Sequence, residues 1–410
     1  TLIPLPILSF IIYKISVLIN LKSKIVQEFL SKLTTYTQES FSGVKIIKTY
    51  TVEENINDQL EKLASSSKEK NMSLVKIQAW FFPLMILLIG ISNILVVFVG
   101  GIQYMNNEIE LGVLAEFIIY VNLLTWPVAT VGWITSIVQQ AEASQKRINE
   151  FLKTNSSITN KSKSNKKIEG KIDFNNVDFT YPETKITANN NISFTINKGE
   201  SIAIMGDVGS GKTTLLELLC RVYDPSKGEI LFDNINIKKI NIKELRKSIG
   251  YVPQSTFLFS DTIKRNIKFG NYNASMTEVK NAAKNACLSK DINAFRNKYE
   301  TLLGERGVNL SGGQKQRMAI ARALIKKPKI LILDDSLSAV DTETEKEILS
   351  NINKFSKKIT LIIATHRISS AKKCDKILVL ENGKVIEFGS HKELIKNKRY
   401  YSRAVLKQSS

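Results

Sequence analysis

The sequence is poor in the residues that build disulfide frameworks and zinc sites. Its 410 residues include only three cysteines, Cys220, Cys287 and Cys374, which lie far apart without metal-ligand spacing. This argues against both kinds of site and fits a reducing compartment. The chain begins without Met and shows no signal-peptide pattern, and its first residues fall directly in an apolar run. We therefore expect a truncated start.

Charge is missing from two long stretches. Residues 79–107 contain no charged side chain, and residues 117–141 contain none either. Each stretch is long enough to cross a hydrocarbon core about 30 Å thick. We predict a membrane hairpin with helices at about 79–107 and 114–141. The alternative is a pair of buried core helices in a soluble protein.

Basic residues flank the hairpin but are absent from its turn. The connecting segment carries Glu108 and Glu110, whereas Lys76 precedes the hairpin and Lys146 and Arg147 follow it. Because Lys and Arg are enriched on the cytoplasmic side of membrane proteins, the turn is predicted to face outside and both ends to face the cytoplasm.

The N-terminal part combines an apolar and a polar segment. Residues 2–19 carry one charge, Lys14, and are predicted to be the end of a membrane helix. Residues 22–76 are more polar and keep helical periodicity, which predicts a long helix outside the bilayer. Gly43 and the acids that begin at Glu53 allow a break in it.

A polar linker separates this part from a second domain. Residues 155–167 are mostly Ser, Asn, Thr and Lys. We divide the chain into a membrane part, 1–154, the linker, and an α/β domain with a mainly parallel sheet, 168–410. In that domain, residues 172–174 and 177–181 are predicted to form two edge strands.

Most of the formal charge of +20 lies in the second domain, where residues 167–410 contain 42 basic and 26 acidic side chains. The lysines are scattered without interleaved aromatic residues, which favours a solvated basic surface over a nucleic-acid site.

The second domain contains a sequence pattern that is typical of phosphate-binding loops. Residues 206–214 fit G-x-x-x-x-G-K-[ST], between a strand-type run and a helical segment. The glycines allow backbone N–H groups to surround phosphates at a helix N-terminus. Lys212 adds a positive charge, and Thr213 is placed to bind Mg²⁺. The predicted nucleotide-site residues are Gly206, Asp207, Gly209, Ser210, Gly211, Lys212, Thr213 and Thr214.

Two further patterns follow. Residues 330–335 form an apolar run that ends in Asp334 and Asp335, an arrangement in which one carboxylate holds Mg²⁺ and its neighbour orients water. Upstream, Ser311-Gly312-Gly313-Gln314 opens a helix with small residues and free N–H groups.

In this order and spacing, the motifs resemble those of the ATP-binding cassette (ABC) family, and the resemblance covers nearly the whole chain. It implies an exporter half-transporter, with all-α membrane helices followed by an α/β P-loop ATPase domain that uses ATP and Mg²⁺. The implied roles are adenine stacking for Tyr181, contact with Mg²⁺ and water for Gln254, the Walker B acid for Asp334, the family signature for Ser311, Gly312, Gly313 and Gln314, the D-loop for residues 338–341, the switch histidine for His366, and an exporter-specific contact with the membrane domains for residues 304–307.

One position departs from the family pattern. The general base after the Walker B acid is usually Glu, whereas here it is Asp335. We expect the site built on this chain's own motifs to hydrolyse ATP slowly. We therefore favour a heterodimer with another half-transporter over a homodimer.

The resemblance implies ATP-driven export of a lipid, drug or peptide by a membrane protein, in the bacterial cell membrane with its nucleotide-binding domain in the cytoplasm. Two alternatives are a soluble cassette ATPase acting on nucleic acid or ribosomes and the energising subunit of an importer. The predicted hairpin argues against both.

Overall fold

The computed structural model describes residues 4–160, 167–304, 307–356 and 359–409. Its contacts divide the chain into two compact units, Thr1–Asn155 and Ser156–Ser410. The division falls at the start of the predicted linker, of which residues 161–166 lie outside the described residues.

The first unit is helical. Helix α1 packs against α3 and α4, and α3 also packs against α4. The predicted break is present, because α1 ends at Ser42, a short helix follows Gly43, and α3 begins at Glu53. The helices are α1 Pro4–Ser42, α2 Val44–Tyr50, α3 Glu53–Met105 and α4 Leu111–Lys153.

Helix α3 runs from the polar segment into the apolar one without interruption. In the part of the chain that the structure describes, it is the one helix long and apolar enough to cross a membrane, with a mean hydropathy of 2.6 over its best window. Leu111–Leu124 of α4 is a shorter apolar stretch. The two helices approach closely, since a Cβ on Gly100 would lie 3.0 Å from Cδ1 of Leu114.

The second unit contains two sheets surrounded by short helices. The strands are β1 Ile172–Thr180, β2 Thr187–Ile196, β3 Ser201–Gly206, β4 Lys227–Phe232, β5 Ile235–Asn236, β6 Ile249–Val252, β7 Ile330–Asp334, β8 Thr360–Ala364, β9 Lys376–Glu381 and β10 Lys384–Gly389. The helices are α5 Lys212–Leu219, α6 Ile242–Ser248, α7 Ile263–Lys268, α8 Met276–Asn285, α9 Ser289–Ala294, α10 Gly312–Leu324, α11 Thr342–Ser356, α12 Ile368–Ala371, α13 His391–Lys396 and α14 Tyr400–Ser409.

The larger sheet confirms the predicted parallel core. Its order is β10-β9-β3-β8-β7-β6, with parallel pairing throughout except for the antiparallel edge strand β10. Strands β7 and β8 are buried along their whole length, as expected for parallel strands covered on both faces. Successive residues point into different cores, so Ile202 and Ile204 lie in one hydrophobic cluster while Ala203 and Met205 lie in the other.

The smaller sheet corrects one prediction. Residues 172–174 and 177–181 do not form two edge strands: β1 is one strand, and it lies between β2 and β4. The register shifts between Phe174 and Val177, and the intervening Asn176 has a φ of +49°. This irregularity interrupts the alternation of side chains, which made one strand look like two.

Candidate nucleotide-binding site

The sheet topology brings the predicted loops together. The phosphate loop follows β3, His366 follows β8, the two acids lie at the end of β7, and Gln254 follows β6. These strands are consecutive neighbours, and Ile204 and Asp334 both pair with Ala364 across β8. In an open α/β sheet, the carboxyl ends of such strands are where ligands bind.

A cavity of about 550 Å³ opens at this edge of the sheet. Ser210 lies beside it, buried, with Oγ 3.3 Å from Nζ of Lys212. The predicted site residues that line the cavity are Tyr181, Gly206, Asp207, Gly209, Gly211, Lys212, Thr213, Thr214, Gln254, Asp334, Asp335 and His366.

The phosphate loop requires glycine at two of its positions. Gly206 has a φ of +147°, and a Cβ there would lie 2.2 Å from the carbonyl oxygen of Leu380. Gly211, which precedes α5, has a φ of +95°, and its Cβ would lie 2.3 Å from the carbonyl oxygen of Ala188. Any other residue would strain the loop and move it, so these glycines set the shape of the phosphate cradle.

Lys212 is held at the base of this loop. Its Nζ donates to the carbonyl oxygens of Gly206, at 2.8 Å, and Asp207, at 2.6 Å. Burial lowers the pKa of Lys212, while the nearby carboxylates of Asp207, Asp334 and Asp335 oppose that shift. A desolvated ammonium group of this kind is suited to bind phosphate oxygens.

Asp334 is the most buried charged group of the site, at 2% exposure. Burial raises its pKa, against the lowering effect of hydrogen bonds from Thr213 and Tyr251. The described residues contain no group of three or more His, Cys, Asp or Glu side chains arranged to hold a metal. A carboxylate beside a hydroxyl and the amide of Gln254 does fit Mg²⁺, which takes oxygen ligands and keeps several waters or phosphate oxygens.

Asp335 and His366 form a pair of polar side chains in contact with each other. The Asp335 backbone has a φ of +42°, and its N–H donates to the carbonyl oxygen of Ala364 at 3.0 Å. This turn directs Oδ1 to within 3.2 Å of Nδ1 of His366. Both side chains line the cavity, so a carboxylate and an imidazole are available where water would approach a bound phosphate.

The ring of Tyr181 forms part of the cavity wall. Its hydroxyl is 2.8 Å from Oγ1 of Thr214 in the phosphate loop. Phe179 and Tyr223 contact it edge-on, with ring centroids 5.0 and 5.6 Å away. These contacts fix an aromatic face that a planar base can stack on.

The signature residues lie elsewhere. Ser311 caps α10 in a capping box with Gln314, whose Nε2 donates to Oδ1 of Asp291 at 2.9 Å. Gly313 packs against the backbone of Ala339, whose oxygen would be 2.8 Å from an added Cβ. Neither these residues nor Gly312 lines the cavity. Of the predicted exporter-specific segment 304–307, Glu305 and Arg306 lie outside the described residues.

The cavity also contains residues that sequence motifs did not indicate. Thr365 directly precedes His366, and Tyr400, Ala404 and Gln408 come from helix α14. Their spacing of four residues places the last three on one face of a helix. That spacing was visible in the sequence, but no motif connected it with the distant phosphate loop.

Comparison with known proteins agrees with this geometry. Residues 189–338 match the family model described as ABC transporter, and residues 1–128 match the one described as ABC transporter transmembrane region. The chain is 39% identical over 402 residues to the multidrug resistance-like ATP-binding protein MdlA of Buchnera aphidicola subsp. Schizaphis graminum, covering 98% of this chain and 69% of that protein. The chain belongs to the ABC transporter family.

Two further relatives place this ABC protein among the exporters. It is 39% identical to the probable multidrug resistance ABC transporter ATP-binding/permease protein YheI of Bacillus subtilis, over 98% of this chain and 68% of that protein. A solved structure of a bacterial Atm1-family ABC exporter with ATP bound superposes with a TM-score of 0.90 at 28% identity, covering all of this chain and 72% of the other.

These comparisons confirm the predicted fold, which is a helical transmembrane domain followed by an α/β ATPase domain. The chain is an ABC half-transporter of the exporter type, and its ATPase drives export across a membrane.

Proposed function

We propose that this half-transporter exports a hydrophobic or amphipathic compound, of the lipid, drug or peptide kind, across a bacterial cell membrane. The observation that carries the proposal is that the phosphate loop, the acid pair and His366 lie together at one edge of the sheet. The membrane part adds support, because large apolar side chains on α3 and α4, including Ile94, Phe98 and Leu123, are exposed as lipid-facing residues would be. The names of the relatives, multidrug resistance proteins, agree with this class of cargo.

The site residues divide the work of ATP hydrolysis. Lys212 and the loop N–H groups bind and neutralise the phosphates, and Tyr181 stacks on adenine. Thr213, Gln254 and Asp334 would hold Mg²⁺, which supplies charge neutralisation at the phosphates when bound. Asp335 accepts the proton of the attacking water, and His366, in contact with it, orients that carboxylate.

The position of the signature supports a site shared between two chains. ABC half-transporters act as dimers. Because Ser311 to Gln314 lie outside this chain's own cavity, we propose that they cover the phosphates bound by the partner. We favour a heterodimer in which the partner supplies Glu where this chain has Asp335, so that one site is fast and the other slow. A homodimer is the alternative.

Transport by the reconstituted protein tests the proposed function. The chain, alone and with a co-expressed candidate half-transporter, is placed in proteoliposomes with a fluorescent amphipathic dye outside. ATP added outside should drive dye uptake by proteins whose ATPase domains face outward. Lys212→Ala should abolish uptake, weaken ATP binding and lower the rate of ATP hydrolysis about 100-fold or more, since a positioned charge at the reacting phosphate contributes several kcal/mol to the transition state. Equal ATP binding and hydrolysis by wild type and Lys212→Ala would contradict the assignment of the site.

Crosslinking tests the dimer. In a chain whose native cysteines are replaced, Val208→Cys at the fully exposed tip of the phosphate loop is combined with Ser311→Cys at the signature. ATP should promote an inter-chain disulfide when two cassettes face each other head to tail. Ser402→Cys on α14 serves as the control for nonspecific crosslinking. Absence of any ATP-dependent product in homodimers and in mixed dimers would argue against a shared site.

A further inference from the structure

Helix α14 is fixed to the rest of the ATPase domain through Tyr401. Tyr401 is fully buried, and its hydroxyl lies 2.7 Å from Nδ1 of His391 at the start of α13. The backbone N–H of Tyr401 also donates to Oε1 of Glu387 at 3.3 Å. Tyr400, Ala404 and Gln408, spaced four residues apart along α14, line one wall of the nucleotide cavity. The helix therefore presents polar groups to the site from a rigid support.

The side-chain amide of Gln408 holds the loop that carries the switch histidine. Its Nε2 donates to the carbonyl oxygen of His366 at 2.7 Å, and its Oε1 accepts from the N–H of Ile368 at 2.9 Å. The two bonds fix the backbone on both sides of Arg367. An amide with both donor and acceptor engaged defines the orientation of that loop more narrowly than a single bond does.

The first residue of the same helix contacts the phosphate loop. The hydroxyl of Tyr400 donates to Oδ1 of Asp207 at 2.6 Å. Asp207 occupies the second position of the loop, and its backbone oxygen accepts from Lys212. Partial burial raises the pKa of Tyr400 to about 12, helped by the Asp207 carboxylate, so this hydroxyl keeps its proton at physiological pH.

We propose that α14 is a brace for catalysis, in which Gln408 positions His366 for hydrolysis and Tyr400 positions the phosphate loop for nucleotide binding. Both are positioning residues, since they act through the two loops. The proposal rests on the ATP site proposed above. It predicts a division of effects along one helix, with Gln408 controlling turnover and Tyr400 controlling affinity.

Four variants of the whole chain, with both of its units present, test this brace. Gln408→Met keeps the length of the side chain but removes its hydrogen bonds, and Gln408→Ala removes the length and the hydrogen bonds together. Tyr400→Phe removes only the hydroxyl. Arg403→Ala is the matched control, because Arg403 is exposed on α14 and does not line the cavity. Three quantities are measured: ATP affinity, turnover at saturating ATP, and hydrogen exchange of the peptide containing the Ile368 amide without nucleotide.

Both Gln408 variants should lower turnover about tenfold or more, as expected when a catalytic group shifts by a fraction of an ångström. Their ATP affinity should stay within about twofold of wild type, and the Ile368 amide should exchange faster because its acceptor is lost. Tyr400→Phe should weaken ATP binding about threefold to tenfold, through the loss of one charge-assisted hydrogen bond, while turnover at saturation is kept. Arg403→Ala should behave as wild type.

The proposal would be contradicted if Gln408→Met retained wild-type turnover and wild-type exchange of the Ile368 amide, because the shape of the side chain would then be enough to position His366. Equal loss of affinity and turnover in all three cavity-facing variants would reduce α14 to a merely structural element and would also contradict the proposal. If wild-type protein bound no ATP while the Ile368 amide still responded to Gln408→Met, the proposed function would fail and the contact between α14 and the loop would stand.

Discussion

The imidazole of His366 contacts the carboxylate of Asp335, with 3.2 Å between Nδ1 and Oδ1. The contact joins the ends of two neighbouring strands, β7 and β8. Asp335 reaches it from a left-handed backbone conformation, and Gln408 holds the other side of the histidine loop. In the proposed mechanism, the general base is therefore a short carboxylate whose orientation depends on its contact with His366.

The buried carboxyl of Asp334 makes the stability of the folded protein depend on pH. Burial raises its pKa above the ordinary value of 3.8, so its ionised form is disfavoured in the folded protein. The contribution of the Asp334 carboxyl to folding stability is therefore fully present below its ordinary pKa, where the group is protonated. It is lost as the pH rises through the raised pKa. Asp334→Asn should therefore raise the unfolding temperature at neutral pH without nucleotide, by about 2–4 °C if roughly 1 kcal/mol is recovered.

A thiol-reactive dye can follow this unfolding, because Cys220 and Cys374 are both buried in the second unit. The gain should shrink as the pH falls toward the ordinary pKa, and the added stability that Mg²⁺ with ATP confers on wild type should be lost. Asp341→Asn is the control: a hydrogen bond from the Thr344 backbone lowers the pKa of Asp341, so the sign at neutral pH is opposite. An unchanged or lower unfolding temperature for Asp334→Asn would contradict the prediction.

Tyr181 should contribute to binding through its ring and hardly through its hydroxyl. Tyr181→Ala is expected to weaken ATP binding by about 5- to 150-fold, the range for loss of one aromatic platform worth 1–3 kcal/mol. Tyr181→Phe loses only the bond to Thr214 and should stay within about threefold. Inorganic tripolyphosphate, which has no base, is the control ligand and should bind both variants alike. Equal losses for ATP and tripolyphosphate would exclude a stacking role.

The turn between α3 and α4 should face away from the cytoplasm. A single cysteine tests this at Asn106 in preference to Asn107, because Asn107 has a φ of +62° and replacement there would be strained. In a background without native cysteines, an impermeant thiol reagent should label Asn106→Cys on intact cells. It should label Ser156→Cys, which follows α4, only after the cells are opened. The reverse pattern would overturn the predicted topology.

The nucleotide site was predictable from sequence because its parts are local. The phosphate loop, the acid pair and the signature each consist of adjacent residues whose chemistry and spacing identify them. The order of the strands then places the phosphate loop, the acid pair, Gln254 and His366 at one edge of the sheet, as the parallel α/β prediction already implied, whereas the signature lies outside the cavity.

The contribution of α14 was not predictable in the same way. Tyr400 and Gln408 reach Asp207 and His366 across 193 and 42 residues, and only the packing of α14 creates those contacts. The single strand β1 was missed for a related reason, since the irregularity at Asn176 breaks the period-two pattern. Long-range packing and local irregularities carry no signature in one sequence.

The length of the carboxylate at position 335 provides the most direct test of the proposed catalytic asymmetry. Asp places its carboxylate about 1.5 Å closer to the backbone than Glu does. We predict that Asp335→Glu raises the single-turnover rate of ATP hydrolysis at this chain's site about 10- to 100-fold, with ATP affinity unchanged. Asp335→Asn and Lys212→Ala, measured in parallel, set the rates without the base and without the phosphate clamp. A wild-type homodimer that hydrolyses ATP rapidly, and gains nothing from Asp335→Glu, would contradict a slow site and favour the homodimer.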